Sequence, residues 1–285
     1  KSDLINIDAI VYLAAISNDP MGNKFQKVTH EINYKSALKV ANLAKKNGVS
    51  KFIYASSCSM YGFTSTLPKT ERSGLNPLTA YAKSKVLAEK KLKKISTKNF
   101  KIICLRFATA CGYSKNIRLD LVLNDFVASA ITSKKIVVLS DGSPWRPMIH
   151  VVDMARAINW SIEVKIKKNF LAINAGSSSM NYQIKDIAKK VGKIIKGTNI
   201  SINSAALPDK RSYKVNFSKF EKINKKFKPI YDLRNSIIDL KKNLIKDKFK
   251  IKNFRDSQFI RLKVLEKLLF KKILNNNLYW NDKVK

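Results

Sequence analysis

The chain has 285 residues, and 45% of them are apolar, which suffices for a large buried core and argues against disorder. Lysine and arginine outnumber aspartate and glutamate by 56 to 20, so the net charge is +36. The lysines are scattered through nearly every segment and form no arginine-rich tract. The charge therefore indicates a compositional bias that attracts anions, and we expect no nucleic-acid partner.

The first part of the chain alternates apolar runs with amphipathic helical patterns. The predicted elements, in order, are a strand at 8–15, a helix at 32–47, a strand at 52–56, a loop at 62–77, a helix at 81–95 and a strand at 101–107. This alternation predicts an α/β fold with a doubly wound parallel sheet, whose ligands meet the carboxyl ends of the strands. Ala14, Ser57 and Thr109 fall at those ends.

The pattern is looser after Gly112. It predicts a helix near 121–131, a strand at 136–139, a turn at 141–144, a strand at 170–176 and a helix that Asn181 caps and that ends at Ile195. A basic amphipathic helix follows near 259–274, and we expect it to pack on the protein body rather than on a membrane.

Tyr81 and Lys85 form the most informative pair in the sequence. Residues four apart share one face of a helix, where a lysine ammonium can favour the phenolate form of tyrosine and lower a pKa that is normally near 10. Ser57, at the end of a predicted strand, adds a hydroxyl donor. The same spacing at Tyr279 and Lys283 follows no such strand, so we interpret that second pair as chance.

The composition gives little support for a disulfide framework, a metal site or a membrane segment. The cysteines are odd in number and lack Cys-x-x-Cys spacing, so the sequence supports neither a disulfide framework nor a zinc site and favours a reducing, cytoplasmic location. They are Cys58, Cys104 and Cys111. His30 and His150 are too far apart to suggest a metal site. The apolar run at 9–16 is too short to cross a bilayer, so no membrane partner is expected.

Several separate motifs in order resemble the extended short-chain dehydrogenase/reductases, specifically the NAD-dependent sugar-nucleotide epimerase/dehydratase group. The strand at 8–15 looks like the family's strand into the cofactor site, and Asn33 looks like the asparagine that opens its next helix. The similarity continues through the serine strand at 52–62, and then through Glu71, Pro77, Tyr81, Lys85, Leu105 to Thr109, Gly112, Arg146, His150, Asp153 and Asn174 to Gly176.

The resemblance implies roles for individual residues. Tyr81 would be the catalytic base, Lys85 would hold the nicotinamide ribose, and Ser57 would hydrogen-bond the reacting oxygen. The cofactor would be NAD, with NADP left open. It would be bound by Tyr81 and Lys85 together with Leu13, Ala14, Ala15, Ser17, Asn33, Ala55, Ser56 and Ala108. A nucleotide-sugar substrate would be bound by Ser57, Thr109, Asn124, Arg146, Arg211 and Tyr213. An arginine fork suits phosphate oxygens.

Two departures from the family pattern matter. The family's Gly-x-x-Gly-x-x-Gly turn is missing, since no two of the nine glycines are three residues apart. We therefore expect either a fragment of a longer protein, which we favour, or a chain that does not hold a dinucleotide in the usual way. A fragment would have a sheet that is exposed on one side. The 4,6-dehydratase branch has an acidic pair after the catalytic hydroxyl, where this chain has Cys58 and Ser59. Dehydration is therefore disfavoured.

The resemblance thus implies an epimerase that acts on a nucleotide-diphosphate sugar through a transient keto-sugar. A sugar-nucleotide reductase or dehydrogenase, and a non-catalytic dinucleotide-binding protein of the same fold, are the alternatives. A homodimer is possible. The predicted domains are an incomplete Rossmann-like dinucleotide-binding domain at 1–114 and 148–177, a substrate-binding region at 115–147 and 178–245, and a basic helical tail at 246–285.

Overall fold

The computed structural model describes residues 4–63, 67–206 and 211–281. The chain divides into two compact units. Unit 1 consists of Lys1–Ala108, Asp153–Ser178 and Tyr213–Pro229, and unit 2 consists of Thr109–Val152, Ser179–Ser212 and Ile230–Lys285. In the described ranges, no helix is both long enough and apolar enough to span a bilayer.

The elements are numbered in chain order. The strands are β1 (Ala9–Tyr12), β2 (Lys51–Ser57), β3 (Lys101–Phe107), β4 (Thr109–Cys111), β5 (Lys135–Val138), β6 (Trp145–His150), β7 (Phe170–Ala175), β8 (Asn181–Gln183) and β9 (Asn199–Ile202). The helices are α1 (Asp19–Lys24), α2 (Gln26–His30), α3 (Ala37–Lys46), α4 (Ala80–Ile95), α5 (Val122–Thr132), α6 (Val151–Glu163), α7 (Ile184–Ile194), α8 (Ser218–Ile223), α9 (Leu233–Lys246) and α10 (Arg261–Phe270).

Unit 1 is built on a four-stranded parallel sheet in the order β1-β2-β3-β7. Tyr54 of β2 pairs with Tyr12 on one side and with Cys104 on the other. The two central strands, β2 and β3, are apolar and largely buried because neighbouring strands and helices cover them. This sheet confirms the predicted parallel α/β architecture.

Helices α3 and α4 pack on one face of that sheet. Small side chains such as Ala37, Ala41 and Ala88 bring the helices close to the aromatic rings of Phe52 and Tyr54. Close packing of this kind fixes α4 against β2, because interiors at crystal-like density leave side chains little freedom to shift. Since α4 carries Tyr81 and Lys85, the core positions the candidate site.

The predicted helix at 32–47 is wrong in its start. Helical structure already begins at α1 and α2, and Glu31–Ser36 forms a π-helical stretch that runs into α3. Asn33 therefore lies inside a helical run instead of opening a helix. A turn of π-helix holds one residue more than a turn of α-helix and occurs often at functional sites, and the apolar periodicity of a sequence does not reveal it.

Helix α6 was also not predicted. In that part of the sequence only single motif residues, such as Asp153, were singled out.

Unit 2 contains two small sheets and a helical core. Strand β6 pairs with β4 in parallel and with β8 antiparallel, while β5 pairs with β9. Helices α5, α7 and α9 pack around Leu123, Ile187 and Ile237. The prediction that Asn181 caps a helix is wrong, because Asn181 pairs with Pro147 in a strand and the N-cap of α7 is Gln183.

The predicted domains differ from the two compact units at several places. Residues 109–114 and 148–152 lie in unit 2, although the sequence placed them in the dinucleotide-binding domain. Residues 213–229 lie in unit 1, where Lys69 pairs with Val215, although the sequence placed them in the substrate-binding region. The segment after residue 245 packs in unit 2 and buries Phe254 in its core. Such packing depends on distant partners, which a local pattern does not contain.

Candidate active site

Ser57 lies at the carboxyl end of β2 and is half-buried. Its hydroxyl donates to Ser59 Oγ at 2.9 Å and accepts the Ser59 backbone N–H at 3.2 Å, which caps the short 3-10 helix Cys58–Tyr61. Both bonds are local to the turn. A substrate oxygen could take the place of Ser59 Oγ as acceptor without loss of a buried partner.

Tyr81 lies in the first turn of α4, and α1 holds that turn in place. The Thr79 side chain caps α4 by accepting the Ala82 N–H at 3.1 Å, and it donates to Asp19 at 2.6 Å. A Cβ on Gly22 would come within 2.9 Å of Tyr81 Cβ, so the backbones of α1 and α4 approach closely only because residue 22 is glycine. The position of Tyr81 is thus set by two helices.

Lys85 lies one turn after Tyr81 and is only 2% exposed. Its ammonium donates to the Ala55 carbonyl at 2.7 Å, and it lies 4.6 Å from the centre of the Tyr54 ring and 5.7 Å from that of the Tyr81 ring. Desolvation by burial lowers the pKa of Lys85 to about 7. Lys85 therefore faces the same side as Tyr81 and connects α4 with the strand that carries Ser57.

The cofactor candidates of unit 1 occupy the carboxyl ends of neighbouring strands. Leu13 is 58% exposed at the end of β1. The loop after it is fixed by Asn33, whose amide binds both the N–H and the C=O of Ile16 at 2.9 and 3.0 Å. Ala14, Ala15 and Ser17 belong to this loop, Ala55 and Ser56 end β2, and Ala108 follows β3. In a parallel sheet this edge is where ligands bind.

The predicted substrate residues divide between the two units. Asn124 is buried in unit 2, where its amide binds the N–H and C=O of Gly112 at 3.0 and 3.2 Å and the Arg118 carbonyl at 2.9 Å. Arg146 donates to the carbonyls of Trp145 and Arg211. Thr109 is half-buried in β4, and Tyr213 lies in unit 1. Asn124 and Arg146 thus have structural contacts, and their substrate roles stay predictions.

The resemblance predicts that Cys58 and Ser59 stand where an acidic pair would be in a 4,6-dehydratase. Cys58 is fully buried and donates to the Arg106 carbonyl at 3.0 Å, and burial raises its pKa well above the ordinary value. Ser59 offers a hydroxyl. Neither residue presents a carboxyl group near Ser57.

Unit 1 contains a buried polar network that was not predicted from the sequence. Arg106 and Glu89 form an ion pair with an Nη2 to Oε2 distance of 2.7 Å, and Arg106 also donates to Tyr61 Oη at 3.0 Å. Tyr61 in turn donates to Asn174 at 2.6 Å. A signal was present, since Arg106 interrupts an apolar strand and Glu89 follows Lys85 by one helical turn.

His150 has a structural role in unit 2. Its Nδ1 accepts the Val152 N–H at 3.2 Å, which leaves Nε2 as the donor to Asp239 at 3.1 Å, and its ring stacks on Tyr231 with 3.7 Å between the ring centres. A Cβ on Gly112 would collide with this ring. Within the described part of the chain, no cluster of histidine, cysteine and acidic side chains could hold a metal ion.

The parallel sheet, with Tyr81 and Lys85 on one helix face against the strand of Ser57, defines a Rossmann-like α/β protein of the extended short-chain dehydrogenase/reductase type. A family model described as "NAD dependent epimerase/dehydratase family" matches residues 2–176. The chain belongs to this family, which confirms the resemblance inferred from the sequence.

Individual relatives are distant. A curated protein from Methanocaldococcus jannaschii, named putative UDP-glucose 4-epimerase, is 22% identical over 196 residues, which are 66% of this chain and 62% of that protein. The chain therefore spans less than two thirds of this relative. The solved UDP-glucose 4-epimerase of Bifidobacterium longum, in complex with NAD+ and UDP, aligns with a TM-score of 0.74 at 22% identity and covers 86% of this chain and 78% of its own.

A second solved structure, the NAD-dependent NDP-hexosamine 5,6-dehydratase TunA, aligns with a TM-score of 0.73 at 19% identity and covers 88% of this chain and 80% of its own. At this level of identity both structures establish the shared fold. An epimerase and a dehydratase match equally well, so the choice between the two reactions depends on the residues of the site.

Proposed function

We propose that the protein is an NAD-dependent epimerase that acts on a nucleotide-diphosphate sugar through a transient keto-sugar. The observation that carries the proposal is the placement of Lys85, which is buried beside the Tyr81 ring and bonded to the Ala55 carbonyl, close in sequence to Ser57. This arrangement supports a proton-transfer site at the end of β2. Membership of the family supports the same class of reaction.

The three side chains divide the proton chemistry among them. Tyr81, as phenolate, takes the proton of a sugar hydroxyl while the carbon that bears it is oxidised, and returns the proton when the keto group is reduced again. Ser57 donates a hydrogen bond to the reacting oxygen. Lys85, when charged, favours the phenolate electrostatically. The tyrosine ends each cycle in its starting state, so the reaction has no net proton change.

The residues of unit 1 fit the nicotinamide half of a dinucleotide. The exposed Leu13 and Ala14 leave apolar surface at the sheet edge, and Asn33 fixes the loop that carries them. We propose that this loop, with Ser17, Ala55, Ser56, Ala108, Tyr81 and Lys85, holds NAD. When bound, NAD supplies the acceptor and donor of the hydride. Ser56 contributes its backbone, because its hydroxyl is engaged by Glu89.

The substrate proposal is based on residues of unit 2 and on Tyr213. Thr109, Arg146 and Arg211 are proposed to contact the sugar and its diphosphate, since an arginine fork pairs with phosphate oxygens. Asn124 is proposed to act through the backbone of the Gly112 turn, which its amide holds. The excess of positive charge favours an anionic substrate of this kind.

Epimerisation is favoured over dehydration because of two residues. Elimination of water needs an acid and a base beside the catalytic hydroxyl, and this chain has a buried thiol at Cys58 and a hydroxyl at Ser59. A reductase is the remaining alternative, and stoichiometry distinguishes it. We expect turnover of a nucleotide sugar without net change in nicotinamide absorbance, whereas a reductase would consume the reduced nucleotide.

Replacement of the base tests the assignment. We expect Tyr81→Phe to lower kcat by at least about a hundredfold, because the variant loses the positioned acid/base group. Dinucleotide binding should be retained, since the ring remains in place. Epimerisation by chromatography of the product sugar and binding by calorimetry are the measurements.

Tyr279→Phe is the matched control, because Tyr279 has the same spacing to a lysine but is 69% exposed in unit 2. Its turnover should equal that of the unmodified protein. Full activity of Tyr81→Phe would contradict the proposed function.

A further inference from the structure

A buried ion pair lies on the same helix face as the proposed base. Glu89 follows Lys85 by one turn and Tyr81 by two turns of α4, so the three side chains project in the same direction. Glu89 is 5% exposed and Arg106, on β3, is 6% exposed. The guanidinium Nε donates to both carboxylate oxygens at 3.1 Å, and Nη2 donates to Oε2 at 2.7 Å. The guanidinium therefore binds the carboxylate through two of its nitrogens, which fixes the geometry of the ion pair.

The same ion pair binds the chain on both sides of Ser57. Before it, Ser56 donates its hydroxyl to Glu89 Oε1 at 2.6 Å. After it, Tyr61 accepts from Arg106 Nη1 at 3.0 Å. The Cys58 thiol additionally donates to the backbone carbonyl of Arg106 at 3.0 Å, a contact outside the ion pair itself. The Ser57 hydroxyl itself takes no part and contacts only Ser59 among the bonds described.

Stability alone is a weak reason for such an arrangement. A buried ion pair loses hydration that its own attraction repays only when every polar atom is satisfied, and an apolar replacement is often as stable. A buried ion pair can instead serve to position catalytic groups. Such positioning matters because a displacement of about 1 Å can lower a rate about a hundredfold. The contacts here join the helix of Tyr81 to the two neighbours of Ser57.

We propose that the Glu89–Arg106 pair is a positioning device that sets Ser57 relative to Tyr81 and Lys85. Glu89 fixes the end of β2 relative to α4 through its hydrogen bond with Ser56, and Arg106 holds the turn that follows Ser57. This inference depends on the proposed function, because it assigns a purpose to the placement of Ser57. Glu89 and Arg106 touch no reacting atom in this scheme and act through Ser56 and Tyr61.

Ser56→Ala is the sharpest test, because it removes one hydrogen bond between the pair and the strand and leaves the pair intact. We expect kcat to fall about tenfold or more while KM and dinucleotide affinity change less than about twofold. Ser161→Ala is the matched control, since Ser161 is also fully buried in unit 1 but donates within its own helix, to Ile158 O at 2.6 Å. The control should keep the kcat of the unmodified protein.

A second measurement needs neither cofactor nor substrate. Amide hydrogen exchange should speed up about tenfold at residues 57–61 in Ser56→Ala and in Tyr61→Phe, with little change elsewhere in the chain. A merely structural role would instead lower the unfolding temperature and raise exchange across unit 1, with kcat per folded molecule unchanged.

The outcomes separate the two proposals. An unchanged kcat in Ser56→Ala, or a kcat that falls together with dinucleotide affinity, would overturn the positioning role even if Tyr81→Phe is inactive. Local exchange equal to that of Ser161→Ala would do the same. Full activity of Tyr81→Phe would overturn the proposed function, whatever Ser56→Ala shows.

Discussion

At the scale of single residues, Lys85 is a charged group held at a cost in free energy. Its pKa of about 7 in the folded protein lies below the ordinary value of 10.5 because burial disfavours the ammonium. Between these two pH values the unfolded chain binds more protons than the folded chain, so the stability of the protein at this site rises with pH. The destabilisation is complete below about pH 7 and vanishes above pH 10.5.

We therefore expect Lys85→Met to raise Tm by about 3 °C more at pH 6 than at pH 9. Calorimetry at the two pH values on the protein without ligand is the measurement. Lys83→Met is the control, since Lys83 lies on the exposed side of the same helix and should give the same shift at both pH values. Equal shifts for Lys85→Met at pH 6 and pH 9 would show that the ammonium is not desolvated.

The geometry of the candidate site was predictable where it follows from spacing. Tyr81 and Lys85 share a helix face because they are four residues apart, and Ser57 ends an apolar strand; their catalytic roles stay predictions. Glu89 and Arg106 were missed, although both were visible as charges in apolar surroundings, because their pairing joins two different elements, α4 and the strand β3 that follows it, and no local periodicity shows which side chains meet there. The contacts of Asn124 with Gly112 depend on tertiary packing in the same way.

At the scale of elements, the approach of α1 to α4 gives a test in which two effects have opposite signs. Helix propensity alone predicts that Gly22→Ala stabilises α1 by about 1 kcal/mol. The new Cβ would however lie 2.9 Å from Tyr81 Cβ and 3.1 Å from Tyr81 N, so a helix has to shift. We expect a lower Tm and a lower kcat.

Gly74→Ala controls for the loss of a glycine, because its Cβ would meet nothing within 4 Å and its backbone angle is not positive. Thermal unfolding and the epimerase assay should show it unchanged. A Gly22→Ala variant with raised Tm and full turnover would mean that the two helices tolerate separation at Tyr81.

Secondary-structure elements could be predicted where a single hydrophobic pattern dominates a segment of the sequence. Strand β3 was predicted with its observed limits and α4 within one residue, because an apolar run and a long amphipathic stretch are strong local signals. The π-helical stretch, β8 and α6 were not predicted. Short or irregular elements draw their stability from neighbours, as the pairing of β8 with β6 shows, and so leave little mark on local periodicity.

At the scale of the whole molecule, the net charge of +36 means that lysine side chains repel one another throughout the fold. Self-repulsion destabilises a compact state and is screened by salt, with a Debye length near 10 Å at about 0.1 M. We expect Tm to rise by a few degrees between about 20 and 200 mM NaCl. An uncharged osmolyte at matched osmolality is the control, and a Tm that is flat or falls with salt would contradict this account.

The α/β class could be predicted because alternation of strands and helices is a property of the whole sequence. The assignment of residues 213–229 to unit 1 could not, since one isolated pairing, between Lys69 and Val215, joins segments far apart in sequence. The functional division into cofactor and substrate regions stays a prediction.

All three cysteines are reduced and buried, at positions 58, 104 and 111. Buried thiols react slowly with maleimides, because only an accessible thiolate attacks the reagent. A fourth cysteine, introduced at an exposed site such as Lys83, would therefore be the preferred target for a fluorophore. The native thiols need no removal first, so site-specific labels for spectroscopy can be attached to the otherwise unmodified protein.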